Sequence, residues 1–231
     1  MNYQSIVDVI IPAFNEQDSI GLVLDDIPKN LVRNVIVANN NSTDKTEEVA
    51  EQHGAIVVFQ PEPGYGNACL KAMEFIAQQE RKPDVVVFLD GDYSDYPEQM
   101  YQVIKPILDD EADMVIGSRA LGKSESGSLT PQQIFGNWLA TRLLKLFYGE
   151  TFTDLGPFRA IRYDSLLRIG MADRNYGWTV EMQIKAAKQK LRSVEVPVDY
   201  RVRIGESKVS GTLKGTIGAG YKIILTLIKY L

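Results

Sequence analysis

Apolar and polar positions along the chain switch repeatedly between two periods. Ile6-Val7-Asp8-Val9-Ile10-Ile11 is a nearly unbroken apolar run ended by Pro12, the pattern of a buried strand. From Asp18 to Ile27 the spacing becomes helical, with Ile20, Val23, Leu24 and Ile27 on one stripe. The pair recurs: a strand from Asn34 to Ala38, a helix from Asp44 to His53, a strand from Ala55 to Phe59, a helix from Asn67 to Gln79. A third unit has a strand from Asp84 to Leu89, a helix from Pro97 and a strand from Asp113 to Ile116. Continuous apolar strands alternating with helices predict a mostly parallel sheet covered on both faces. Ligands of such sheets bind at the carboxyl ends of the strands. Pro12 to Glu16, Asn39 to Asp44, Asp90 to Asp92, and Ser118-Arg119 are therefore expected along one edge.

Beyond Arg119 the regularity lapses. Leu121 to Thr130 is rich in Gly and Ser and reads as a mobile loop. Pro131 opens a long helix to about Tyr148, stopped by Gly149. Asp154 to Ile161 reads as a return into the sheet, followed by a helix from Trp178 to Lys190 and strands from Leu191 to Val202. Gly211 to Leu231 reads as a final apolar helix. The division this predicts is one α/β domain over residues 1–211 and an apolar or amphipathic C-terminal helix over 212–231.

Composition narrows the picture. A chain of 231 residues with 45% hydrophobic and 24% charged content suits a single globular α/β domain. Its net charge of -5 argues against a non-specific grip on nucleic acid. The single cysteine, Cys69, allows no internal disulfide and fits a reducing compartment, and Met1 to Asp8 lacks the pattern of a secretory signal, so a cytoplasmic location is expected. Lys and Arg crowd the C-terminal third, which suggests an anionic ligand or surface there.

The strongest chemical signal is Val85-Val86-Val87-Phe88-Leu89-Asp90-Gly91-Asp92. A buried strand ends in two carboxylates split by a glycine. Such a pair can hold Mg2+ or Mn2+ and leave open positions for substrate phosphates, and Gly91 would let the backbone approach a bulky ligand. A polar strand-end turn is the plainer reading of the triplet alone.

Four segments in order carry a family resemblance: Pro12-Ala13-Phe14-Asn15-Glu16, Asn41-Ser42-Thr43-Asp44-Lys45-Thr46, Asp90-Gly91-Asp92 and Gly117-Ser118-Arg119. Together they resemble family-two glycosyltransferases of the A-type fold, a single Rossmann-like domain with a mostly parallel central sheet. Asp154-Leu155-Gly156-Pro157-Phe158-Arg159 and Arg203-Ile204-Gly205-Glu206-Ser207-Lys208 are similar to segments of the polyprenyl-phosphate sugar synthases, such as dolichyl-phosphate mannosyltransferase. The resemblance implies an inverting transfer of a hexose from a UDP-glucose or GDP-mannose type donor to a polyprenyl-phosphate-like acceptor. It implies a donor site of Pro12, Ala13, Phe14, Glu16, Asn40, Gly66, Asn67, Asp90, Gly91, Asp92 and Arg119, with metal on Asp90 and Asp92. Gly66 and Asn67 would begin a helix whose free amides suit an anion.

Two departures stand out. The family usually has an Asp-Asp pair where this chain has Asn39 and Asn40, which leaves base identity open. The polyprenyl-phosphate enzymes often have a glutamine two residues after the second metal-site Asp; here that position is Ser94, with Asp95 a candidate substitute. On the acceptor side, a phosphate needs cations rather than a base. Arg159, Arg201, Arg203, Ser207 and Lys208 are the candidates, together with Trp178 at the head of a late helix. If the acceptor were instead a hydroxyl of a saccharide or small molecule, Glu181 or Asp154 would serve as base beside Asp92.

Ile217 to Leu231 is too short and too charged to span a membrane. It could lie at a membrane interface as a peripheral contact on the inner face, or pack on the domain. A dinucleotide oxidoreductase is excluded, because Pro-Ala-Phe-Asn-Glu stands where its glycine-rich turn would be. A catalytically dead nucleotide-sugar sensor is disfavoured by the intact Asp90 and Asp92.

Overall fold

The computed structural model describes residues 5–205 and 222–231. Seven strands, β1 (Val7–Ala13), β2 (Asn34–Asn39), β3 (Ile56–Phe59), β4 (Val85–Phe88), β5 (Met114–Ser118), β6 (Arg159–Arg162) and β7 (Ser193–Pro197), form one sheet. Their order is β3-β2-β1-β4-β6-β5-β7. All neighbours are parallel except β6, which runs antiparallel to both β4 and β5.

Among the described residues the sheet is flanked by α1 (Ile20–Asp26), α2 (Thr46–Gln52), α3 (Tyr65–Gln78), α4 (Met100–Leu108), α5 (Pro131–Tyr148), α6 (Tyr163–Ile169) and α7 (Trp178–Lys188), besides a helical segment over 222–229. Successive strand residues point to opposite faces, so β1 supplies two cores. Val7, Val9, Ile11 and Ala13 pack with Ile20, Val23 and Leu24 of α1 and with Val103 and Ile104 of α4. Ile10 faces the other way, with Ala68 and Ala72 of α3, Leu144 of α5 and Trp178 of α7. This is the doubly covered sheet that the apolar runs predict.

The site is prepared by a difference in pairing length. β1 pairs with β4 only as far as Ile10 and Phe88, but with β2 as far as Ala13 and Asn39. The sheet therefore parts between the carboxyl ends of β1 and β4. That is also where strand order reverses, since β2 and β3 lie on one side of β1 and β4 on the other. Pro12 sits inside β1 rather than ending it. It is tolerated because only β2 flanks the strand at that height.

Several expectations are corrected. Asp154 to Phe158 stays outside the sheet, and the strand begins at Arg159. Helix α6 was not foreseen in the sequence. The segment 121–130, read as mobile, is tied along 199–202: Lys123 N donates to Asp199 Oδ1 at 2.9 Å, Glu125 N to Tyr200 O at 2.8 Å, and Val202 N to Glu125 Oε2 at 3.0 Å. Pro131 at the first turn of α5 and left-handed Gly149 at its end match the reading, and the structure adds a Thr130–Gln133 capping box.

Of the expected C-terminal helix, residues 222–229 are helical, and 212–221 lie outside the described residues. One side of this helix is seated on the domain. Thr226 and Leu227 are buried, the Tyr148 hydroxyl donates to Leu227 O at 2.8 Å, and Lys222 pairs with Asp173 at 3.1 Å.

Candidate active site

The loops that follow β1, β2 and β4 each hold a residue with left-handed backbone: Asn15 (φ 54°), Asn41 (φ 61°) and Tyr93 (φ 63°). Such conformations cost free energy, and the surrounding hydrogen bonds hold them. Asn15 N donates to Ser42 Oγ at 3.0 Å, Thr43 N to Asn15 Oδ1 at 2.8 Å, and Glu16 N to Thr46 Oγ1 at 2.8 Å. The Asn41–Thr46 segment thus buttresses Pro12–Glu16. Phe14 is left exposed at the rim.

The Asn39-Asn40 departure has a local cause. Asn39 Nδ2 donates to Glu47 Oε2 at 2.7 Å, and its Oδ1 accepts from Ser42 N at 2.9 Å. Asn40 Nδ2 donates to Gln60 O at 3.1 Å and Glu62 O at 2.7 Å, while its Oδ1 accepts from Gly64 N at 2.8 Å. An aspartate could supply none of those donors. Asn40 is nearly buried and fastens the loop after β3 rather than opening onto a ligand.

At the crevice floor, Asp90 Oδ1 accepts from the Tyr65 hydroxyl at 2.9 Å. Burial, with the Asp92 charge close by, pushes the Asp90 carboxyl up to about 7. Asp92 Oδ1 accepts from Ser94 N at 3.0 Å and Ser94 Oγ at 2.5 Å. Asp92 Oδ2 meets Arg203 Nη1 at 3.1 Å, and Arg203 Nη2 reaches Glu16 Oε1 at 3.0 Å. Arg203 therefore ties the end of the body to the first motif and supplies positive charge where Asp92 lies. Behind this pair is Asp95, buried, with neither carboxylate oxygen hydrogen-bonded among the described residues. Burial, with Asp90 and Asp92 nearby, holds its carboxyl well above the usual range.

A Cβ at Gly91 would lie 3.4 Å from Ile11 Cγ2 and 3.5 Å from Ile20 Cδ1, so the glycine faces the core under β1 and α1. Gly66 is packed against the Asp173 carbonyl, with no room for a side chain, and Asn67 N donates to Arg174 O at 3.0 Å. The anion-binding amides expected at Gly66-Asn67 are thus partly spent on the 173–174 loop.

Oxygen-rich acidic side chains at the crevice fit a hard divalent cation. Among the described residues no three acidic, His or Cys side chains converge on one point. Asp90 and Asp92 would hold such an ion, with the remaining ligands drawn from substrate oxygens and water, as is usual for Mg2+.

The remaining candidates divide sharply. Arg119 lies at the end of β5, where its Nε donates to Asp154 Oδ2 and its Nη2 to Asp154 Oδ1, both at 2.7 Å. Asp154 also accepts from Arg119 N at 2.9 Å and is buried. Arg119 stacks over the Tyr200 ring at 5.0 Å.

Arg159, expected to grip the acceptor, is fully buried. Its Nε donates to Gly156 O at 3.0 Å, Nη1 to Thr179 O at 3.0 Å and Nη2 to Leu155 O at 3.1 Å. Burial draws its pKa down to about 10, and it lies within electrostatic reach of Tyr65, Asp154 and Asp90. It is a cation beneath the floor, not a clamp on a ligand.

Trp178 is likewise core, 5.9 Å from the Phe88 ring. Arg201 is spent on Tyr93 O at 2.7 Å and Asp95 O at 3.0 Å, and lies between the Tyr93 and Tyr96 rings at 3.4 and 4.2 Å. Ser207 and Lys208 lie outside the described residues.

Glu181 is fully buried and saturated with donors. It accepts from Ala172 N at 3.0 Å, Asp173 N at 2.7 Å and the Tyr230 hydroxyl at 2.5 Å, and pairs with Lys185 at 3.0 Å. A base needs a free face toward substrate, and neither Glu181 nor Asp154 has one in this arrangement. Both carboxylates expected to act as base on a hydroxyl acceptor are thus engaged by protein donors. Tyr65 and Ser94, which fix Asp90 and Asp92, were not foreseen as site residues. Tyr65 could have been found from its place between Gly64 and Gly66.

A doubly wound sheet with paired carboxylates at its switch-point crevice defines an α/β protein built around a ligand at that crevice. The family model described as glycosyl transferase family 2 matches residues 8–170. The chain is 34% identical over 213 residues to an uncharacterized glycosyltransferase of Mycobacterium tuberculosis, covering 91% of this chain and 93% of that protein. It is 30% identical over 221 residues to the undecaprenyl-phosphate mannosyltransferase of Micrococcus luteus, covering 89% and 88%. The crystal structure of glucosyl-3-phosphoglycerate synthase from Mycobacterium tuberculosis, in complex with Mn2+, uridine diphosphate and glucosyl-3-phosphoglycerate, aligns with a TM-score of 0.77. That alignment has 24% identity and covers 98% of this chain and 80% of that one. The chain belongs to glycosyl transferase family 2, and its fold is the glycosyltransferase A type.

Proposed function

We propose that this protein transfers a hexose, with inversion, from a nucleotide-diphosphate sugar to a polyprenyl-phosphate-type acceptor. The observation that carries the reading is a cation at the crevice where, among the described residues, both carboxylates considered as bases are engaged by protein donors. Asp154 and Glu181 are buried and saturated, while Arg203 stands at the crevice beside Asp92. A phosphate oxygen is already anionic near neutral pH and needs charge rather than deprotonation. The relative in Micrococcus luteus is named for an undecaprenyl-phosphate acceptor, and the mycobacterial synthase was solved with Mn2+ and uridine diphosphate.

In this reading Phe14 and the backbone of Pro12 and Ala13 hold the nucleoside, with Glu16 beside them. Asp90 and Asp92 would hold Mg2+ or Mn2+, which supplies positive charge to the leaving diphosphate when bound. Arg203 leaves Glu16 and Asp92 as donor enters and turns its guanidinium to phosphate. The acceptor oxygen forms a bond to the anomeric carbon as the bond to the diphosphate breaks, and the electron pair departs with the diphosphate.

The test supplies UDP-glucose or GDP-mannose, Mn2+ and undecaprenyl phosphate. A β-linked glycolipid from an α-linked donor is expected by nuclear magnetic resonance. Asp92→Asn should lower turnover by about 10²-fold or more. Unchanged turnover in both Asp90→Asn and Asp92→Asn with metal chelated would sink the reading, as would transfer to a saccharide hydroxyl with none to the lipid phosphate.

A further inference from the structure

Helix α5 turns the wrong residues outward. Its 18 residues are capped at both ends, and it is about 27 Å long at 1.5 Å per residue. Its inner side carries Ala140, Thr141 and Leu144, all buried. Asn137 also faces in, donating to Thr153 O at 2.8 Å and accepting from Leu155 N at 2.8 Å. Its outer side carries Ile134 (56% exposed), Phe135 (59%), Trp138 (51%) and Leu146 (73%). With Arg142 and Lys145, also exposed, these side chains fall in one stripe about 120° wide at 100° per residue. A surface helix ordinarily turns that stripe toward the core. Here the helix has a core face already, so the outer stripe is surplus to folding.

The charge on the stripe identifies what covers it. Pro131–Tyr148 contains Arg142 and Lys145 but no Asp or Glu, in a chain whose net charge is -5. Phe135 and Trp138 lie 5.8 Å apart, and the Arg142 guanidinium stands 5.8 Å over the Trp138 ring. Large apolar side chains, an indole and cations, without acids, are the elements of a helix lying in the plane of an anionic bilayer surface. A two-fold contact with a second copy would set these cations against their own equivalents, with no carboxylate on the stripe to pair them. At the far end of α5 the 222–229 helix, joined through Tyr148 and Leu227, turns Leu225, Ile228 and Lys229 outward and is also free of acids. No helix among the described residues is long and apolar enough to cross a membrane.

We infer that the outer stripe of α5 docks the protein flat on an anionic lipid surface, with Ile134, Phe135, Trp138 and Leu146 in the apolar layer and Arg142 and Lys145 at the headgroups. The contact would lie next to the active-site edge, because Asn137 holds the 153–155 backbone whose Asp154 grips Arg119. The inference does not depend on the donor or acceptor proposed above.

The test uses the full chain and vesicles of phosphatidylcholine with and without phosphatidylglycerol. The protein should sediment with the anionic vesicles and far less with the neutral ones. Of the two tryptophans Trp178 is buried, so a blue shift in emission on adding vesicles reports Trp138, and Trp138→Phe should abolish it. Phe135→Ser/Trp138→Ser/Leu146→Ser should weaken vesicle binding by about 100-fold, from the apolar area lost. Arg142→Gln/Lys145→Gln should weaken it by about tenfold. Turnover on a short-chain, detergent-dispersed prenyl phosphate should be retained in both, so loss of lipid docking and failure of the proposed chemistry read out separately. If the triple variant melts early, the charge pair and Trp138→Phe carry the test. Equal binding of variants and native protein to anionic vesicles would overturn the inference. So would a native dimer, seen by light scattering, that ignores vesicles and is split by the triple substitution.

Discussion

Asn40 shows how far a family pattern can mislead at one position. Aspartate is the usual residue of the resemblance, yet Asn40 Nδ2 serves two carbonyls, Gln60 O and Glu62 O. Asn40→Asp would bring a carboxylate against both and is expected to cost about 1–3 kcal/mol, measured by denaturant unfolding, with weaker donor binding as the loop loosens. Asp154 gives the converse case. Asp154→Asn leaves Arg119 without its buried anion and should cost about 3–5 kcal/mol, whereas a general-base role would predict lost turnover at unchanged stability. Arg203 makes the third prediction. Its guanidinium already neutralises Asp92 and Glu16, so an arriving metal ion competes with a resident cation. Arg203→Gln should tighten Mn2+ binding, read by calorimetry, while lowering turnover on a phosphate acceptor. Tighter metal with poorer catalysis would not follow from a merely structural arginine. Asp90 and Asp92 were legible from their place after an apolar strand. The burial of Arg159 and Glu181 was not, because each is also covered by a residue distant in sequence, Thr179 for one and Tyr230 for the other, which no local spacing connects to it.

Elements with a clean period and firm punctuation were legible: β1, β2, α3 and α5 all lie within a few residues of where apolar spacing, Pro131 and Gly149 put them. Helix α6 was missed because its seven residues directly follow β6, too short a run to establish a helical period beside an apolar strand. The C-terminal helix could be read either as interfacial or as packed. The structure seats its described part through Glu181. Burial pushes the Glu181 carboxyl up, but the Tyr230 hydroxyl, the Asp173 and Ala172 amides and Lys185 outweigh it and hold the pKa below the ordinary 4.5. The folded protein thus binds that proton less readily than the unfolded chain. The stabilisation is complete above about pH 4.5 and lost as pH falls through the lower, folded value. Glu181→Gln should remove this part of the acid dependence and cost about 1–3 kcal/mol, with turnover on a phosphate acceptor largely kept at neutral pH. A collapse of turnover at unchanged stability would reinstate Glu181 as a base.

Across the whole molecule, the apolar runs predicted a doubly covered sheet, and the strand direction that escaped prediction is that of β6. A short strand reveals neither its neighbour nor its sense, since both depend on how the long 119–158 connection returns. The reversed insertion governs how the chain can fold. β4 and β5 do not pair with each other; each waits for Arg159–Arg162 to arrive between them. Until then Val85–Phe88, with all four residues buried in the finished protein, presents an open apolar edge able to pair with any passing strand. Closing it requires contacts about seventy residues apart, which slows assembly and prolongs that exposure. A chain stopped at Phe158 keeps every crevice carboxylate and the whole of β1 to β5, yet it should aggregate on expression. Extension through Tyr200 should restore soluble material, because β6 then closes that edge, β7 covers the far edge of β5, and α6 and α7 pack behind them. Fractionation of the two truncated chains after synthesis would show whether the last strand to reach the middle of the sheet is also the one that keeps its neighbours apart from other molecules.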